Sequence, residues 1–177
     1  HKLPVKAGDT FAVPGGVPHA IGPGCFLLEA QEPTDYTLRP ERVTPKGLTL
    51  TDESCHMGAG FEAMLTMFDY TGYTPDELHE RFIGSCRLDD DAPSTADLTA
   101  KTPQMPFSVV YHSVTGSGAL SSAEGFSVVL CLAGEGRVGG VPLSAYGSLF
   151  VPASAIERGI EASGNGSFKL LECLPER

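Results

Sequence analysis

Tryptophan is missing from this chain, and cysteine is sparse and scattered. Cys25, Cys55, Cys86, Cys131 and Cys173 stand far apart, with no CxxC pair among them. That spacing argues against a disulfide scaffold and against a zinc ribbon. It fits a reducing, cytoplasmic compartment. No run of about 18 apolar residues occurs and no signal-peptide pattern opens the chain, so neither a membrane span nor export is expected. Basic residues are few. Twelve Lys and Arg against 22 Asp and Glu give a net charge of −10. Such a surface repels polyanions and argues against nucleic-acid binding. A phosphorylated small molecule stays open as a ligand, because a local basic pocket can override the overall sign. An initiator methionine is absent as well. The chain begins at His1 and enters a strand-like pattern at once, which reads as a fragment of a longer polypeptide or a processed chain.

What is abundant points to β structure. Apolar residues make up 41% of the 177, enough for a core, and 21 Gly with 14 Pro suit many turns between short strands. Residues 1–39 read as strands and turns: "DTFAV" (Asp9–Val13), the turn "GGVP" (Gly15–Pro18), and the apolar strand "CFLLEAQ" (Cys25–Gln31). Residues 40–104 change character. Phe61, Met64, Leu65 and Phe68 fall at i, i+3, i+4 and i+7, the spacing of one helix face. "TPDELHERF" (Thr74–Phe82) opens with a Thr N-cap, Pro at the first helical position and acids in the first turn. Asp89–Pro106, poor in large apolar residues, reads as an exposed connection. Four more strands follow in Phe107–Val114, Gly125–Gly134, Gly147–Pro152 and Ser167–Leu174. Gly134–Gly136 and Gly164–Gly166 read as hairpin turns. "GDTFAVP…FLLE" near the start is echoed by "GSLFVP…FKLLE" near the end. The expected architecture is therefore mainly β: two related β units, 1–45 and 107–177, around a helical insert and connection at 46–106.

The segment Gly8–His19 carries the chemistry. Its pattern G-D-x-x-x-V-P-x-G-x-x-H resembles the second conserved motif of the cupin superfamily, whose jelly-roll barrels place that histidine at the barrel mouth. An imidazole there can bind a divalent metal. The residues that follow, "HAIGPGCFLLEAQEPTDYTLR" (His19–Arg39), resemble the type I phosphomannose isomerases, enzymes of the cupin class. Pro14, Gly16, His19, Ala20, Glu29, Gln31, Thr34, Asp35, Thr37 and Arg39 all stand in the register of that family. The likeness covers residues 7–39 and becomes architectural over 107–177.

The resemblance implies a fold, an activity and a site. It implies an isomerase of mannose 6-phosphate and fructose 6-phosphate, with His19 a ligand of a catalytic zinc ion and Arg39 the arginine beside the bound sugar phosphate. The family's other zinc ligands, a Gln-x-His pair and a Glu, come from earlier in the polypeptide, and nothing before His19 supplies them here. Glu29 is no substitute, since its family counterpart does not bind zinc. Pro40, Glu41 and Arg42 depart from the family's usual Val-Tyr-Asp. In the second β unit Glu157 takes the place corresponding to His19, so that unit is expected to be metal-free. The partners implied are a small sugar phosphate and either a second copy or the remaining N-terminal part of the enzyme. A catalytically silent sugar-binding or regulatory module is the other reading. His56, His79 and His112 read as structural or exposed, and Asp89–Asp91 as a solvated acidic loop.

Overall fold

The computed structural model describes residues 2–32, 36–86, 88, 90–100, 105–121 and 125–175. In chain order the elements are β1 (Asp9–Phe11), α1 (Asp52–His56), α2 (Phe61–Thr66), α3 (Pro75–Phe82), β2 (Ile83–Ser85), β3 (Ser94–Asp97), β4 (Phe107–Val114), β5 (Ser117–Ala119), β6 (Ser127–Ala133), β7 (Glu135–Val138), β8 (Val141–Ser144), β9 (Ser148–Val151), β10 (Gly159–Ala162) and β11 (Phe168–Pro175). The chain divides into two compact units. One comprises 14–72; the other joins 1–13 to 73–177.

The larger unit is built on the strands of 107–175. Every one of the four strands expected there forms. Alternation explains their two faces: in β6 the burial pattern runs buried, intermediate, buried, intermediate, buried, as a period-2 strand over a core requires. Two antiparallel sheets result, with orders β5-β10-β7-β8 and β3-β4-β11-β6-β9. Renumbering β4 to β11 as one to eight gives orders 2-7-4-5 and 1-8-3-6. That is a hairpin ribbon folded over itself, the topology of a jelly roll. The sheets pack face to face over Val114, Leu120, Val129, Cys131, Val138, Leu143, Val151, Ile160, Phe168 and Leu170.

β3 lies within the segment expected to be an exposed connection. Its four residues are all exposed; it is held by its ladder to β4 rather than by a hydrophobic face. Likewise Gly134–Gly136 is not a simple turn, because Glu135 opens β7. The tight hairpin turn lies at Gly139–Gly140 instead, where both glycines have positive φ.

The loop before β3 is tied to β11. Buried Lys169 donates to the Leu88 carbonyl oxygen and lies 3.1 Å from Asp91 Oδ1, which also accepts from Ser167 Oγ at 2.6 Å. Asp89 lies outside the described residues. The Ser167 hydroxyl, and then Lys169, hold the Asp91 carboxyl below the usual aspartate range. A depressed folded-state value means stabilisation that is present at neutral pH and lost as pH falls through that value. The stability gap between the parent chain and Asp91→Asn is therefore expected at pH 7. It should shrink as pH drops below about 4. Urea midpoints at pH 7 and pH 3 check this.

At the unit's N-terminal side, β1 pairs antiparallel with β2, Asp9 opposite Ser85 and Phe11 opposite Ile83. Helix α3 forms as expected. Thr74 and Glu77 make a reciprocal capping box, with Pro75 in the first turn.

In the unit 14–72, α1 was not anticipated. Its signal is local: Thr51 caps it, accepting from Ser54 N, and Asp52 and Glu53 fill the first turn. Helix α2 is shorter than its apolar spacing suggests. Only Met64 of the expected face is fully buried, while Leu65 is exposed. Cys25–Gln31, expected as a strand, carries no regular structure. Phe26 is 90% exposed and Ile21 60%. No strand among the described residues pairs with this segment.

Candidate functional site

The Pro14–Gly16 bend forms as its residues dictate. Val17 N donates to the Pro14 carbonyl oxygen at 3.3 Å, and Gly16 has φ +85. A Cβ there would also stand 3.0 Å from the Met67 carbonyl oxygen, so both dihedral and space favour glycine. Asp69 N donates to the Gly16 carbonyl oxygen at 2.7 Å, pinning the bend to the residues after α2.

His19 follows this bend and is exposed. Its Nδ1 is 2.9 Å from the Val17 carbonyl oxygen. Because a carbonyl can only accept, Nδ1 carries a proton, and in the neutral imidazole Nε2 then presents a lone pair. This is the tautomer that suits a metal ligand oriented through its other nitrogen.

Arg39 is exposed too. Its backbone N donates to the Cys55 carbonyl oxygen at 2.8 Å. Its Nη1 donates to the carbonyl oxygens of Ser54 at 3.3 Å and Thr37 at 3.4 Å. Ser54 belongs to α1, so the guanidinium sits at the negative end of that short helix. The side chain lines an open depression of about 380 Å³ with Glu53, Ser54 and Met57. His19 is not among the groups lining it. Thr34 and Asp35, the family-like residues between them, lie outside the described residues.

Zinc does not fit the donors this chain brings together. Among the described residues no group of three or more His, Cys, Asp or Glu side chains could hold a metal. A single imidazole is too few for tight binding. His56 packs edge-on against Phe61 with ring centroids 5.0 Å apart. His79 is exposed on α3, as expected. It borders a second, larger depression of about 690 Å³ with Lys6, Asp9 and Asp97.

The jelly roll has its own polar centre, which the sequence reading missed. His112, expected to stand alone in its strand, has a partner. Its Nε2 is 2.9 Å from Glu172 Oε2, and Ser121 N donates to the same oxygen at 2.7 Å. His112 is 2% exposed and Glu172 is 0%. The available signal was a polar, titratable residue, His112 and Glu172, inside each of two apolar strands, "VVYHSV" and "FKLLECL", since such groups are buried only when paired. Glu157, at the position corresponding to His19, is exposed. Arg158 beside it ties three carbonyl oxygens together, Gly125 at 2.6 Å, Pro152 at 3.0 Å and Ala153 at 3.3 Å.

The strand order defines this chain as mainly β, with a jelly roll in its C-terminal part. In sequence, it is similar over most of its length to mannose-6-phosphate isomerases. It is 30% identical over 138 residues to the mannose-6-phosphate isomerase of Streptococcus mutans, covering 77% of this chain and 39% of that one. It is 26% identical over 176 residues to mannose-6-phosphate isomerase ManA of Bacillus subtilis, covering 98% of this chain and 50% of that one. The chain thus spans half or less of the length of these relatives. A solved structure of a cupin 2 conserved barrel domain protein from Salinispora arenicola is similar to 59% of this chain and 88% of its own, with 15% identity and a TM-score of 0.40. No family model matches the chain. No helix among the described residues is long and apolar enough to cross a membrane.

Proposed function

We propose that this chain is the C-terminal portion of a sugar-phosphate isomerase that interconverts mannose 6-phosphate and fructose 6-phosphate. The carrying observation is the sequence likeness to mannose-6-phosphate isomerases over 138 and 176 residues. The reaction moves a proton between C1 and C2 through a cis-enediol, so negative charge develops on a sugar oxygen beside a fixed phosphate. An always-charged, planar guanidinium suits either anion. Arg39, held at the rim of an open depression, is the residue assigned to that role. His19 is the assigned metal position, with Nδ1 anchored and Nε2 available. Zinc remains what the family resemblance implies. The donors here do not make up a zinc site, and no step is assigned to the metal.

A second reading is favoured by that single donor: a catalytically silent module that binds a sugar phosphate without metal. Titration calorimetry with mannose 6-phosphate, with and without zinc, separates the two. On the isomerase reading, Arg39→Ala should weaken hexose-phosphate binding about tenfold, the worth of one charge-assisted hydrogen bond. In a polypeptide of the relatives' length, His19→Ala should lower both zinc content and turnover. Unchanged zinc and turnover in that variant would remove His19 from the site. Binding that is indifferent to zinc, in a polypeptide without turnover, supports the silent module.

A further inference from the structure

Helix α1 ends in a conformation that its sequence makes costly. Its C-cap residue, Met57, has φ +51 and ψ +40. That is the left-handed region, where glycine is the usual choice and a residue with a Cβ is strained. Among the described residues only Tyr146, at φ +66, also has a positive φ without being glycine. A glycine is at hand in the sequence, but one position later, at Gly58.

Neither the backbone nor the core requires methionine there. The cap is closed by the Met57 N–H, which donates to the Glu53 carbonyl oxygen at 2.8 Å; a glycine would donate equally. Cys55 and Met64 are fully buried in the same unit, whereas Met57 is 39% exposed. What its side chain does reach is the depression of about 380 Å³ lined by Arg39, Glu53, Ser54 and Met57, in which Met57 is the apolar member. All four residues belong to the unit 14–72. A strained residue kept at the rim of a concave site points to function rather than to packing.

We propose that Met57 is a specificity-determining residue of the Arg39 site. Its thioether is the apolar wall against which the carbon chain of a sugar phosphate lies while Arg39 holds the phosphate. The proposal rests on the reading of Arg39 given above. The chemistry of the lining groups divides the work. An always-charged guanidinium reads an anion, and it treats inorganic phosphate and a phosphate ester alike. A soft, polarisable thioether offers nothing to bare phosphate but gains by covering C–H surface. The Glu53 carboxylate on the same rim only accepts hydrogen bonds. It suits sugar hydroxyls and repels a bare anion. Together the three groups select a phosphate that carries a polyol over phosphate alone.

Titration calorimetry of the whole chain with mannose 6-phosphate and, separately, with inorganic phosphate tests it, alongside thermal melts. Met57→Gly should weaken mannose 6-phosphate binding about tenfold, the effect of uncovering roughly 50 Å² of apolar surface. It should leave inorganic phosphate binding unchanged. The same variant should melt about 2–4 °C higher, because the left-handed strain is gone. A residue that merely supported the fold would lower stability and affinity together. Met57→Leu, which keeps an apolar wall, should retain mannose 6-phosphate binding to within about threefold. Tyr146→Gly relieves the same kind of strain in the other unit and should alter neither affinity. Arg39→Ala should weaken both ligands. Undiminished mannose 6-phosphate binding in Met57→Gly overturns the proposal. So does a parallel loss of inorganic phosphate, or a lower melting temperature. If the parent chain binds neither ligand, or Arg39→Ala changes neither affinity, the reading of Arg39 itself fails, and the role of Met57 fails with it.

Discussion

His112→Ala should destabilise the folded chain by about 3 kcal/mol, from a buried hydrogen-bonded carboxyl losing its imidazole partner and from the volume left behind. The loss comes chiefly from what is left behind. Glu172, with no exposed surface, would lose the imidazole from its Oε2, where the Ser121 amide remains. It would do so on the face of β11 that also carries Phe168 and Leu170. A carboxyl group stranded there is costly whether it stays ionised or takes up a proton. The vacated imidazole volume adds a cavity term. Replacing both groups by apolar side chains, His112→Leu with Glu172→Leu, should cost less than His112→Ala alone, because the buried carboxyl goes with the imidazole and only the Ser121 amide loses its acceptor. Urea unfolding followed by circular dichroism measures both. A loss under about 1 kcal/mol for His112→Ala would show that the pair is not desolvated. Exchange of the Ser121 amide should quicken in the single variant, since that bond links the β5–β6 connection to the pair.

Gly136→Ala should destabilise by about 3 kcal/mol, at the upper end of what overpacking costs. Gly136 is buried on β7, opposite Ala162 of β10 and Leu143 of β8. An added Cβ would stand 2.2 Å from the Glu161 carbonyl oxygen and 2.6 Å from Phe168 Cδ1. One neighbour is backbone in a ladder. The other is a ring that is 0% exposed and has no room to swing. Glycine here is a matter of space, letting the Phe168 ring lie directly over β7. Phe168→Leu added to Gly136→Ala should recover part of the loss, giving a coupling that two independent sites would not show. Thermal melts of the two single variants and the double variant test this. Strict additivity would mean the ring is not what the new methyl meets.

The legible parts of the fold share a short range. Thr74, Pro75 and Glu77 announce α3 within four positions, and their hydrogen bonds close over the same span. The Pro14–Gly16 bend and the placement of His19 after it are local too. The strands of 107–175 declare themselves by alternation. The illegible parts depend on distant partners. β3 has no apolar pattern and exists because β4 offers it a ladder. Cys25–Gln31 has the pattern of a strand but pairs with no strand among the described residues, and it carries no regular structure. His112 and Glu172 are 60 positions apart, a distance over which no spacing rule operates.

The sequence by itself therefore determined the mainly β character, the turn chemistry around His19, the acidic surface and the likeness to mannose-6-phosphate isomerases. These follow from composition and from contacts within a few residues. Tertiary structure alone decided the eight-strand order and the burial of the His112–Glu172 pair. It alone also set Arg39 in a depression that His19 does not line. The reason is physical: a strand's partner and a polar group's burial are properties of chain segments brought together in space, and burial and pairing across the whole fold select them.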